Sequence, residues 1–284
     1  MLPPCFCPAD RFSTAELCSL FNRCYADYYV AIRLDPEGFE AMLEVCDVDL
    51  AASRVLQVGG ETVGFVNLAV RGARGWIAGM GVLPETRGAG LGRLAMEAVL
   101  SVARERGLTS VDLEVLVQNT PAARIYEVLG FRDRRMLEVW TRAPGTQPAP
   151  AGADDRPVVA PAAAADCLAG FAALHTERPP WQCDRPTLEH AVARLTGLAV
   201  RDGAALAGYV LYRAAGDAVR IGDLAAVTGA RPDVFEALVA GVVAAHPRSA
   251  MSVLNLPEEH AAGPALERCG FSVTLRQREM TLAL

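Results

Sequence analysis

The chain has no lysine: all 27 basic residues among its 284 are arginine. That absence excludes a lysine Schiff base, a lysine nucleophile and the lysine that a Walker-type phosphate loop requires. Histidine is nearly as scarce. The four histidines, His175, His190, His246 and His260, all lie in the second half, so a histidine base in the first half is excluded unless the other half supplies it. None of the eight cysteines forms a C-x-x-C pair, and the C-x-C of Cys5 and Cys7 has no second half. The cysteines therefore read as reduced, small core residues, and no metal site is expected. No apolar run reaches the roughly 18 residues of a membrane-spanning helix, and "MLPPCFCPADRF" lacks the charged start and apolar centre of a signal peptide. The expectation is a soluble, cytoplasmic protein. A net charge of −6 argues against nucleic acid or a membrane surface as partner.

Hydrophobic residues make up 52% of the sequence, enough for one or two domains with cores of their own. "APGTQPAPAGADDRP", residues 143–157, is rich in Pro, Ala and Gly, has no hydrophobic period and reads as a linker. It divides the chain into domains 1–142 and 158–284. In the first, Ser13 or Thr14 caps a helix, and Asp35 with Pro36 starts another. Strand-like runs follow at 53–58, 62–70 and 75–82. Leu91, Leu94, Ala95, Ala98, Val99 and Val102 then recur on one face of a helix that Gly107 ends. A strand at 110–117, a short helix from Asn119 to Gly130 and a strand at 131–140 complete the half. The second half repeats this order, and "LERCGF" at 266–271 echoes "YEVLGF" at 126–131. Two copies of one mixed α/β fold are expected.

"PETRGAGLGR", residues 84–93, places Gly88, Gly90 and Gly92 between Arg87 and Arg93, after a strand and before a helix. Such a turn is an anion site by geometry. Loop and first-turn N–H groups have no intrahelical acceptor, and the helix dipole adds positive potential. The dinucleotide pattern G-x-G-x-x-G fails, because Arg93 stands where its third glycine belongs.

With "RGAGLG" at 87–92 and "NTPAARIYEVLGF" at 119–131, the first half resembles the Gcn5-related N-acetyltransferase (GNAT) superfamily over about residues 10–140. The resemblance implies an α/β (α+β) architecture: two GNAT-like domains, each a mixed, mostly antiparallel sheet flanked by helices. It also implies acyl-CoA-dependent N-acetyl transfer with acetyl-CoA as co-substrate. Arg87, Gly88, Ala89, Gly90, Leu91, Gly92 and Arg93 would hold the pyrophosphate. Backbone at Met80, Gly81 and Val82 would align the thioester arm, and Asn119 would contact the CoA arm. Tyr126 would be the acid that protonates the departing thiolate. Glu114, twelve residues before Tyr126, stands where some members carry a base, with water as the alternative. The segment holding Tyr25, Tyr28 and Tyr29 would lie over the amine acceptor, whose identity the sequence does not encode. A homodimer is left open. The alternative reading is a CoA-responsive regulatory or scaffold protein without catalysis.

The second half departs from the family pattern. Aligned on Gly-Phe, Leu266, Glu259 and Leu254 replace Tyr126, Asn119 and Glu114, and "TGARPDV" at 228–234 replaces the glycine loop. A degenerate domain that has lost CoA binding is expected. The first half also lacks the family's last strand. Three alternatives stand: the strand is absent, "RPVVAP" at 156–161 supplies it, or the second domain does.

Overall fold

The computed structural model describes residues 3–147, 157–229 and 232–284. The chain forms two compact units, Met1–Arg134 with Arg278–Leu284, and Arg135–Gln277. The first unit is discontinuous and the second is one stretch that begins ahead of the 143–157 linker, of which residues 148–156 lie outside the described residues. The reason lies in two strands, β6 (Arg132–Arg142) and β12 (Ser272–Ala283), each of which belongs partly to both units.

In the first unit the strands lie in the order β1 (Pro4–Pro8), β2 (Arg54–Val58), β3 (Glu61–Arg71), β4 (Arg74–Val82) and β5 (Ser110–Leu116), followed by the C-terminal part of β12. Helices α1 (Thr14–Cys24) and α2 (Pro36–Val45) pack on one face, and α3 (Leu91–Glu105) and α4 (Thr120–Val128) on the other. Local chemistry sets the helix starts. Ser13 and Glu16 form a reciprocal capping box, and the Gly38 N–H donates to Asp35 Oδ1 at 2.7 Å ahead of Pro36. On α3, Leu91, Ala95, Met96, Val99, Leu100, Val102 and Ala103 are buried, which is the stripe its periodicity predicts. Strand β1 was not legible in the sequence, because prolines at both ends and a C-x-C between them mask its alternation. It pairs antiparallel with β2 along an edge, where proline is tolerated.

The missing last strand is supplied by the C-terminus of the chain. Met280 and Leu282 sink into the α3-side core, and the Leu284 N–H donates to Thr109 O at 3.0 Å. Arg278 grips both oxygens of Asp133 at 2.7 and 2.8 Å and reaches Glu127 at 2.8 Å. "RPVVAP" does not fill this role. Its residues 159–161 begin β7 (Val159–Ala162), which pairs antiparallel with β8 (Thr196–Asp202) in the second unit.

The second unit runs in the order β12 (residues 272–277), β6 (135–142), β11 (Ala250–Pro257), β10 (Ala218–Ala226), β9 (Ala205–Ala215), β8, β7. Helices α5 (Ala164–Ala169), α6 (Phe171–Leu174) and α7 (Arg185–Ala191) pack on one face, and α8 (Pro232–Ala245) and α9 (Gly263–Arg268) on the other. The run 162–175 breaks into α5 and α6 at Gly170, where a Cβ would stand 2.6 Å from the Leu206 side chain. Among the described residues, no helix is long and apolar enough to cross a membrane.

Because Met280 is fully buried in the first unit, Met280→Ala is expected to lower stability by about 2–5 kcal/mol. Hydrogen exchange should show the lost protection in β5 and α3. Unaltered protection there would mean that the C-terminal strand does not support the first unit.

Candidate functional site

Strands β4 and β5 run parallel but pair only from Arg74–Trp76 to Ser110–Asp112. Beyond that point β4 stays with β3 alone. The β3–β4 register shifts there: Asn67 faces Gly79 and Leu68 faces Ile77, so Ala78 is an extra residue. A bulge of this kind bends a strand and ends pairing on one side. The result is a V-shaped opening whose one arm is the backbone of residues 79–82. Gly81 is required in that arm, since a Cβ on it would lie 2.6 Å from Cys24 Cβ. Met80 and Val82 flank it, with side chains near Gly92.

The glycine loop follows directly. A 3-10 turn at Pro84–Thr86 leads to Gly88 (φ 82°) and Gly90 (φ 76°), both in the left-handed region that favours glycine. Gly90 is the N-cap of α3, and the first helical bond is Leu94 N–H to Gly90 O at 3.2 Å. The amides of Leu91, Gly92 and Arg93 therefore precede the hydrogen-bonded ladder. No acidic residue lies in the first turn, so an oxygen-rich anion fits here on both geometry and potential. Ala89 and its neighbours in 88–90 are exposed.

The two arginines of the loop act differently from one another. Arg87 is drawn back toward α1: it binds both oxygens of Asp27 at 2.8 Å, Cys24 O at 3.0 Å and Val82 O at 3.2 Å. Four of its five donors are thus committed to holding the loop. Its hydrogen bonds, and to a lesser extent its charge, in turn keep the Asp27 carboxyl below the usual carboxylate range. Arg93 pairs along the exposed helix surface with Glu97 at 2.8 Å.

Three phenols gather at the mouth of the V. The Tyr25 hydroxyl donates to Met80 O at 3.4 Å, and its ring stacks on Phe21. Tyr28 stands edge-on to Tyr25 at 4.9 Å, and Tyr29 edge-on to Tyr28 at 5.4 Å. Tyr29 is half exposed. Tyr126, on α4, is buried against Phe131. Burial first, then the proximity of Tyr28, pushes the Tyr126 phenol above its ordinary pKa; burial does the same to Tyr25. Both phenols hold their protons across the physiological range. For Tyr28 burial also raises the pKa, and a hydrogen bond with the Asn119 side chain partly offsets it. Asn119 is also the N-cap of α4, its Oδ1 accepting from Ala122 N–H at 3.3 Å.

Glu114 lies two residues past the last β4–β5 pair, at the apex of the V. The Trp76 indole N–H donates to its Oε2 at 2.7 Å and fixes the half-buried carboxylate. The structure brings Tyr25, Tyr28, Tyr126 and Asn119 together at the mouth and sets Glu114 at the apex.

Two residues were not singled out from the sequence. Asn22 pins Leu34 through both its backbone groups, at 2.7 and 3.0 Å, and so closes the segment carrying Tyr25, Tyr28 and Tyr29. Asn67, opposite Gly79 at the bulge, is 2% exposed, and its Nδ2 has no hydrogen-bond partner among the described residues. An asparagine within the apolar run "FVNLAV" was the available signal.

The second unit contains the same parting, closed from within. Strands β10 and β11 pair in parallel only from Ala218–Ile221 to Ala250–Val253, and a shift at Gly222 marks the bulge. Here a 3-10 turn, Trp181–Cys183, occupies the edge: Cys183 Sγ donates to Leu254 O at 3.5 Å, and Asn255 donates to Gln182 at 3.1 Å. His175 meets Asp223 at 3.2 Å and Phe171 O at 3.0 Å, while Tyr209 donates to Asp223 at 2.6 Å. Of the loop equivalent at 228–234, residues 230 and 231 lie outside the described residues. Among the described residues, no group of three or more His, Cys, Asp or Glu could hold a metal ion.

Residues 15–131 match the model of the acetyltransferase (GNAT) family. A mycothiol acetyltransferase of Thermobispora bispora is 43% identical over 90 residues, which cover 29% of this chain and 30% of that protein. An uncharacterized N-acetyltransferase of Methanocaldococcus jannaschii is 30% identical over 99 residues, covering 31% and 42%. The chain thus matches less than half the length of these relatives. Two solved structures share the fold over nearly the whole chain. One is a GCN5-related N-acetyltransferase from Sphaerobacter thermophilus, with TM-score 0.72, 16% identity and coverage of 100% of this chain and 97% of that one. The other is a tandem GNAT protein from the clavulanic acid biosynthesis pathway, with TM-score 0.66, 17% identity and coverage of 99% and 98%.

The His175–Asp223 pair carries a pH dependence. Burial, the largest effect, disfavours the imidazolium, but the hydrogen bond and charge of Asp223 and the Phe171 carbonyl outweigh it and raise the pKa. The stabilisation is complete below the unfolded histidine value of about 6.5 and is lost as pH rises through the higher folded value. Urea denaturation at pH 6 and pH 9 should show a smaller loss of stability in His175→Gln than in the parent protein. Equal losses would show that the pair contributes nothing to the pH profile.

Proposed function

From a chain that belongs to the GNAT superfamily, we propose an N-acetyltransferase that moves an acetyl group from acetyl-CoA to a primary amine, working in the first unit. The observation that carries the reading is the continuity of the opened β4 edge at residues 79–82 with the amide-rich loop at 88–93. An extended arm ending in a diphosphate would lie along the first and terminate on the second. Amides of Gly88, Ala89, Gly90, Leu91, Gly92 and Arg93 would hold the phosphate oxygens. Arg87 keeps the loop in place through Asp27, and the glycines allow close approach.

The phenols and Glu114 then have distinct tasks. The amine nitrogen attacks the thioester carbonyl carbon; a C–N bond forms, the C–S bond breaks, and the sulfur leaves with the bonding pair. Glu114, fixed by Trp76 at the apex, takes the proton of the amine, directly or through water. Tyr126, whose burial keeps the phenol protonated, presents its phenolic hydrogen to the departing sulfur. Tyr25, Tyr28 and Tyr29 frame the acceptor side. Their relatively apolar frame suits an amine borne by a small molecule or a peptide N-terminus. The name of the bacterial relatives places mycothiol chemistry on the acceptor panel.

Release of free thiol from acetyl-CoA with an amine panel tests the reading. Turnover with at least one amine is expected, and tight acetyl-CoA binding with no thiol released by any amine would favour a non-catalytic protein. Glu114→Gln is expected to slow turnover by about 10²–10⁴ with little change in acetyl-CoA affinity, and Tyr126→Phe to slow it as well. An unchanged rate for Glu114→Gln from pH 6 to 9 would remove Glu114 from the mechanism.

A further inference from the structure

The C-x-C of Cys5 and Cys7 lies on β1, the outer strand of the first unit, and finds a third donor across the ladder. Alternation puts both thiols on one face of the strand, and Phe6 between them packs against the cores. Gln57 on β2 stands opposite Cys5 in register and shares that face. The two sulfurs are 3.7 Å apart, and the Cys7 thiol donates to Gln57 Oε1 at 3.4 Å. Cys5 is exposed, while Cys7 and Gln57 are half-buried, so the group is open to solvent from the Cys5 side. The strand beneath it is held along its length. Residues 4–8 pair with 54–58, prolines fix the backbone at both ends, and the Ala9 N–H donates to Leu50 O and Ser53 O at 3.0 and 3.1 Å.

Two thiols in contact are poorly placed to ionise by themselves. Burial first, then the hydrogen bond and charge of Cys5, hold the Cys7 thiol above its ordinary pKa, while Arg11 and Arg54 draw it part of the way back. A cation between the sulfurs removes the repulsion of paired thiolates. Two thiolates also neutralise a dication, so the nearby arginines oppose its binding little. The distances select the ion. Sulfur at about 2.3 Å and oxygen at about 2.1 Å around a tetrahedral zinc ion give edges of about 3.8 Å between sulfurs and about 3.6 Å from sulfur to oxygen. The observed 3.7 and 3.4 Å match both closely. Calcium and magnesium require oxygen ligands throughout, and an iron–sulfur cluster requires more thiolates than the strand offers. We propose that Cys5 Sγ, Cys7 Sγ and Gln57 Oε1 form a three-ligand site for a thiophilic dication of the zinc class, with water in the fourth position. Binding forms two metal–sulfur bonds and releases two thiol protons to solvent. The metal then takes the place of the hydrogen that links Cys7 to Gln57. The site draws on none of the residues assigned to acetyl transfer.

Anaerobic titration of the reduced full chain with Co²⁺, a spectroscopic stand-in for zinc, tests the site. One equivalent should give thiolate-to-cobalt charge transfer in the near ultraviolet and the strong visible bands of a tetrahedral ion, and Zn²⁺ should displace it. Cys5→Ser and Cys7→Ser should each lose about half of the charge transfer and bind at least about tenfold more weakly. Gln57→Ala should weaken binding about tenfold with the charge transfer intact, and Gln57→Glu, which offers a carboxylate oxygen, should recover it. Unaltered thermal unfolding without metal checks that the variants keep the fold. No charge-transfer band, or a band that survives in the double serine variant, overturns the site. Undiminished affinity in Gln57→Ala overturns the third ligand.

Discussion

The parting of β4 from β5 just past Trp76 and Asp112 is the constraint on which the first unit's arrangement rests. Ladder hydrogen bonds are lost there, and backbone polar groups left unsatisfied are costly. The cost is limited by placement. The bulge at Ala78 concentrates the departure in one residue, β3 retains its ladder with β4, and the Tyr25 hydroxyl covers Met80 O. What remains open is a short stretch of backbone leading to the amides at the start of α3. The Arg87–Asp27 pair matters because it ties that loop to the C-terminal end of α1, which also carries the aromatic residues over the opening.

The second unit shows how the same topology can be closed. Its strands part at the equivalent place, but the Trp181–Cys183 turn supplies side-chain partners to the edge of β11, and the His175–Asp223–Tyr209 network occupies the bulge. A buried carboxylate needs such partners, because desolvation without compensation would neutralise or expel it. Those partners fill the side of the parting that β11 lines.

Strand exchange imposes a second constraint. The first unit takes its last strand from the C-terminus of the chain, and the second takes β6 from the end of the first half. Each unit therefore has a core element whose sequence neighbours belong to the other. Met280 and Leu282 fill the first core as any strand residues would, and the Arg278 contacts to Asp133 and Glu127 align them. Exposed ion pairs contribute little by themselves; buried apolar area gives the strand its hold, and the arginine sets its register.

Most secondary elements were legible because periodicity and caps are local properties. The α3 stripe, the Ser13 and Asp35 caps, the glycine turn and the repeated Gly-Phe endings all lie within a few residues of the structure they specify. The sequence by itself also determined which chemistries were unavailable, since no fold can supply a lysine, or a first-half histidine, that is not there. Only the tertiary structure decided where the first unit finds its last strand, that Arg87 faces Asp27, that Glu114 is gripped by Trp76, and that Asn67 is buried at the bulge with a spare donor. The Glu114, Arg87 and Arg278 contacts join residues 38 to 151 positions apart, and such partners are chosen by register and packing, which no local pattern records.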